Sequence, residues 1–106
     1  MRNWDFFGAP AGLFCFVDRR MGSAQWSDLG MYLQSLMLLL LEQGIATCPQ
    51  EAWSSYGQTV SEFVAAPAEH MLFCGMAIGY EDTSAPVNTL RSERAPLTEF
   101  AKFHSD

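Results

Sequence analysis

The sequence predicts an α+β protein of three layers whose sheet is too small to be complete. Two apolar runs, Ala11–Val17 (AGLFCFV) and Met71–Tyr80 (MLFCGMAIGY), are each stopped by charge, at Asp18-Arg19-Arg20 and at Glu81-Asp82, as buried strands are. Between them Gln25–Gln43 carries apolar residues at helical spacing over a length no strand reaches. At 106 residues, 49% apolar and 13% aromatic, the chain is ordered and allows one domain at most.

Taken in order, Gly8-Ala9-Pro10 is a turn signal ahead of the first run. Ala11–Val17 is apolar on both faces, which reads as a buried central strand rather than an edge. Met21–Ala24, with Gly22, makes a loop. The helix Gln25–Gln43 has Ser23 or Ser27 as its N-cap and Gly44 as its C-cap. Trp26, Leu29, Leu33, Leu36, Met37 and Leu40 share one face, but Met31, Tyr32, Leu38, Leu39 and Leu41 fill the others. A helix apolar all round must be buried all round, and this chain has little to bury it with. The helix therefore requires another chain, or a further part of the protein.

Pro49 suits the first position of a helix opening at Thr47-Cys48-Pro49. Glu51–Tyr56 and Val60–Ala65 read as two short helices broken near Gly57, and the strand Met71–Tyr80 is interrupted at Gly75. Residues 83–96 form a polar, Pro-flanked extended arm, and Leu97–Phe103 a short amphipathic tail. There is no internal repeat and no linker, so the expected domain spans residues 1–106.

Charge and cysteine usage exclude several functions. Twelve acidic residues against six basic ones give a net charge of −6, which argues against nucleic acid or an anionic membrane as partner. Three cysteines, Cys15, Cys48 and Cys74, are an odd number without metal-ligand spacing, so neither a disulfide framework nor a zinc site is expected. Free thiols suit a reducing compartment, and the cytoplasm is the expected location. The first residues lack the apolar core of a signal peptide, and Leu29–Leu41, at 13 residues, is too short to span a bilayer.

Four stretches, in this order and spacing, resemble the FMN-dependent nitroreductase family. They are FFGAP running into LFCFVD (residues 6–18), MGSAQWSDLGMYLQSLMLLLLEQGI (21–45), TCPQEAW (47–53) and CGMAIGYEDTSAPVNTLRSERAPL (74–97). The set covers nearly the whole chain but only the C-terminal half of the family's usual length. The family's earlier Arg-rich segment, which grips the FMN phosphate, and its Pro-Ser-rich stretch have no counterpart in this sequence. The resemblance implies an α/β/α nitroreductase-like fold, present in part, with the helix 25–43 as the core of a homodimer. It implies an oxidoreductase moving electrons from NAD(P)H through FMN to nitroaromatics, quinones or related small acceptors. The alternative is a truncated, catalytically incomplete relative that only associates with a partner chain; a third reading is a small helical interaction module.

The same resemblance assigns residues. It lays the backbone of Pro49, Gln50 and Glu51 along the flavin, with Glu51 beside N5, where amides at a helix start supply donors and partial positive charge. Arg94, in Arg94-Ala95-Pro96, matches the second half of a basic-x-Arg-x-Pro element that meets the FMN phosphate. Ser92 replaces the usual first basic residue, and Arg91 stands one position earlier as its substitute. Read without the resemblance, the turn is an ordinary helix start and the arginines a solvated pair beside Glu93. Cys48 has no neighbouring base to activate it, and Cys15 and Cys74 read as small core residues. Trp26, Trp53 and Tyr56 read as packing aromatics, with Trp53 also able to border the flavin. No residue is expected to serve as an acid, base or nucleophile, because the flavin carries the redox chemistry.

Overall fold

The structure, a computed structural model, describes residues 2–105; Met1 and Asp106, the ends of the expected 1–106 span, lie outside the described residues. A 3-10 segment, Arg2–Gly8, leads into β1 (Ala11–Asp18), followed by α1 (Ser23–Glu42), β2 (Ala46–Gln50) and a 3-10 turn, Glu51–Tyr56. Then come α2 (Gly57–Val64), β3 (His70–Gly79), a 3-10 turn at Pro86–Thr89 and the single helical turn α3 (Leu97–Phe100).

The sheet is antiparallel with order β1-β3-β2. β3, the most deeply buried strand, lies at its centre and β1 lies at an edge, which corrects the central placement expected for β1. Composition could not separate the two, since both runs are equally apolar and only the pairing partners decide. β1 and β3 stay in register from Ala11↔Ile78 to Cys15↔Cys74 and then shift to Phe16↔Leu72, which leaves Phe73 as an extra residue on β3.

A second correction concerns Pro49. It lies in β2, paired with Met76, and not at the start of a helix. β2 is an edge strand, where a residue without an N–H is tolerated. The following turn is 3-10, and Gly57 has helical angles (φ −51°, ψ −41°), so it continues into α2 instead of breaking the chain there.

Helix α1 packs on one sheet face through Leu33, against Cys15, Cys74 and Met76, with Leu29, Leu36 and Met37 beside them. Its N-cap is Gly22, because Ser23 is already helical, and the Gln25 carboxamide oxygen accepts the Gly22 N–H at 3.1 Å. Its C-terminus is a Schellman turn: Gly44 (φ 73°) donates to Leu41 and Ile45 donates to Leu40. The rest of the helix is uncovered, with Trp26, Met31, Tyr32, Leu38, Leu39 and Leu41 each more than half exposed. The expectation of a helix apolar on all sides and unburied by its own chain holds.

The opposite sheet face carries an aromatic layer. Trp53 packs over Gly75 so closely that a Cβ there would lie 2.3 Å from its Cδ1, and the Phe6 ring covers Gly12 in the same way at 2.5 Å. Phe6 and Trp53 stack at 5.0 Å and 25°, and Phe14 meets both rings. Gly75 is therefore a seat for an indole within a continuous strand, and not the interruption expected of it.

The candidate flavin turn and the arm

The end of β2 places three of the expected residues differently. Pro49 and Glu51 are exposed, while Gln50 between them is buried. Gln50 is extended (φ −135°, ψ 90°) and Glu51 opens the 3-10 turn, so the first amides of that turn lack partners within it. Where a helix start was expected, a strand end runs into a 3-10 turn.

The arm places Arg91 and Arg94 in solvent. Arg91 Nη1 donates to the carbonyls of Asn88 (2.9 Å) and Leu90 (3.0 Å). Arg94 Nη1 donates to the Glu93 carbonyl at 3.0 Å and to the Ser92 hydroxyl. Neither faces a carboxylate: among the described residues the one ion pair is Arg20–Asp18, at 2.6 Å. That pair, with Arg20 exposed, Asp18 half-buried and the Arg20 backbone N–H also donating to the carboxylate, holds the Asp18 carboxyl well below the usual range. It gives Arg19-Arg20 the strand-end role read from the sequence, with Arg19 Nε donating to the Ala68 carbonyl at 3.2 Å.

The arm begins in a built turn. The Asp82 carboxylate accepts from both the N–H and the hydroxyl of Ser84, which lowers its pKa, and the Asn88 amide donates to the Asp82 carbonyl at 2.8 Å. This turn forms one wall of an open cleft of about 1050 Å³, whose other walls are α1 at Met37 and Leu38, the segment Phe7–Pro10, and β2 at Thr47 and Cys48. Among the cleft's lining residues Arg2 is the one cation, and its guanidinium is held by the Phe7 carbonyl at 3.0 Å. Pro49, Gln50, Glu51, Arg91 and Arg94 do not line this cleft. The described hydrogen bonds of Arg91 and Arg94 all stay within the arm, and none joins 91–96 to 47–53.

The amides that open the 3-10 turn and the arm guanidiniums without a carboxylate partner are groups that a flat heterocycle bearing a phosphate can use. Burial pushes the Cys74 thiol up to about 11, and partial desolvation raises the thiol of Cys48, a residue otherwise exposed. Two features escaped the sequence reading. Arg2 was only one of six cations, with no motif around it, and the Gln50 side chain is the buried polar group among the described residues. Its burial depends on the Arg2–Gly8 segment folding back over β2, which no local pattern announces. No helix among the described residues is long and apolar enough to cross a membrane.

Comparison with known proteins agrees with this architecture. Residues 1–80 match the nitroreductase family. A 4-nitrobenzoate reductase of Pseudomonas putida is 38% identical over 95% of this chain and 44% of its own length. A chloronitrobenzene nitroreductase of Comamonas testosteroni is 36% identical over 96% of this chain and 45% of its own. The FMN and NADPH-dependent nitroreductase NfnB of sphigopyxis sp. strain HMH superposes with a TM-score of 0.93 at 46% identity, over 99% of this chain and 47% of that one. The chain thus spans about half the length of the relatives it matches.

Proposed function

The chain belongs to the nitroreductase family, and on that premise we propose that it is the C-terminal portion of an FMN-dependent NAD(P)H oxidoreductase acting on nitroaromatics, quinones or related acceptors. The observation that carries this reading is the 0.93 superposition, at 46% identity, on a structure described as FMN- and NADPH-dependent. The chemistry of the residues supports it. Pro49, Gln50 and Glu51 would hold the flavin through their backbone, and Arg94, with Arg91 as a lesser partner, would meet the phosphate. Bound FMN supplies the two-electron carrier between a reduced nicotinamide and the acceptor. The chain's own contribution is to bind, orient and exclude water, and no side chain need move a proton. The uncovered faces of α1 suit a homodimer, and the free thiols suit the cytoplasm.

A second reading is favoured by one observation: the described hydrogen bonds of Arg91 and Arg94 stay within the arm, and none reaches the turn after β2. On that reading the chain associates with a partner but lacks a complete site. Expression of this chain alone, with an absorbance scan and a sizing column, separates the two. A yellow dimer supports the enzyme; a colourless oligomer supports the incomplete site.

A further inference from the structure

Gln50 is 4% exposed and lies between the exposed Pro49 and Glu51. Its Nε2 donates to the Asn3 carbonyl at 2.8 Å and to the Asn3 side-chain oxygen at 3.2 Å, across 47 positions of sequence. Its Oε1 is buried without a partner among the described residues. A buried acceptor left unmade is costly, and an apolar side chain of similar size would fill the same space without that penalty. Packing alone therefore does not account for glutamine at this position. What the amide adds is a tie between the turn after β2 and the Arg2–Gly8 segment.

That segment is already held by rings. Trp4 meets Trp53 at 5.0 Å and Tyr56 at 4.7 Å, and Phe6 stacks on Trp53. Phe6 and Phe7 sit at φ 51° and 60°, a region that aromatic residues enter only when their surroundings hold them there. The rings fix Trp53, three residues beyond Gln50, while the Asn3 contact fixes Gln50 itself. The rings thus hold Trp53 and the Arg2–Gly8 segment together, and the Asn3 contact adds a second tie at Gln50.

The geometry points to Gln50 as a positioning residue. Its side chain, bonded to Asn3, sets the direction in which the Pro49–Glu51 backbone is presented to the flavin, an inference that rests on the FMN reading above. The test uses the full-length protein loaded with FMN, comparing wild type with Gln50→Leu and Gln50→Glu. Readouts are the FMN dissociation constant, the visible circular dichroism of bound flavin, and the stopped-flow rate of flavin reduction by NADPH.

Gln50→Leu keeps the aromatic clamp and should fold. It should bind FMN within a fewfold of wild type, alter the flavin dichroism, and slow reduction by roughly ten- to hundredfold, the scale of a small misplacement at a reacting centre. Gln50→Glu supplies the decisive contrast. Its carboxyl, when protonated, can donate to the Asn3 carbonyl; when ionised, it faces two oxygens with no proton to give. The rate and dichroism of Gln50→Glu should therefore approach wild type at acid pH and the Leu variant at alkaline pH, beyond any change in wild type itself. Should Gln50→Leu fail to fold, this pH profile alone decides. Wild-type-like dichroism and rates in the folded variants, with no added pH dependence, would overturn the role of Gln50 while leaving FMN binding intact. A wild-type protein that binds no FMN would overturn both readings.

Discussion

At the scale of single residues, shape and charge decide separate things. Gly75 is required by shape. A methyl group there would meet the Trp53 indole at 2.3 Å, and the indole is itself packed against Phe6 and Phe14. Gly75→Ala should cost about 1–3 kcal/mol, the usual range for overpacking, as a lowered urea midpoint with unchanged slope. Arg94 is required, on the proposed function, by charge. Its guanidinium has no carboxylate to satisfy it, so Arg94→Ala should leave stability nearly unchanged. FMN affinity in the full-length protein should fall by about 1.5–3 kcal/mol, or roughly ten- to hundredfold, measured by flavin fluorescence quenching. Arg91→Ala should cost less, and unchanged affinity in the Arg94 variant would place the phosphate with other residues.

At the scale of elements, the candidate site turns on the passage from β2 into the 3-10 turn. Gln50 is extended, as a residue before proline prefers, and Glu51 begins the turn, where its N–H has no partner within the turn. Proline at position 51 is therefore compatible with the local backbone while removing one donor. Glu51→Pro should slow flavin reduction strongly, and Glu51→Ala, which keeps the amide, should reduce at close to the wild-type rate. Stopped-flow bleaching, with far-ultraviolet circular dichroism to check folding, measures both. A strong defect in Glu51→Ala would shift the role to the carboxylate. The sequence placed this turn correctly along the chain but misread its first half. Proline before a run of helix formers is the signature of a helix start, and nothing local to Thr47-Cys48-Pro49 shows that β3 will pair with it.

At the scale of the whole molecule, the chain is spread out. Its radius of gyration is 16.9 Å, against about 13 Å for a compact domain of this length. The excess follows from α1, which is covered on one face only, and from an arm whose residues 91–100 are all exposed. Exposed apolar surface of this extent drives association. The isolated chain at micromolar concentration should elute from a sizing column as a dimer or larger. Leu39→Glu, on an uncovered face of α1, should shift it toward monomer with little change in helix content, because Leu39 is already 63% exposed and leaves no cavity. A wild-type chain that ran as a monodisperse folded monomer would contradict this.

The sequence by itself determined the order and kind of most elements. These are the two apolar strands, the long helix with its Gly44 stop, the uncovered faces of that helix and the polar arm 83–96. These follow from periodicity, composition and turn chemistry, which act over neighbouring residues. Tertiary structure alone decided which strand is central, that Pro49 belongs to an edge strand, that Gly75 seats an indole, and that Gln50 is buried against Asn3. Each depends on segments roughly 20 to 70 residues apart meeting, and the free energy of such a meeting is set by the partner surface, which local sequence does not encode.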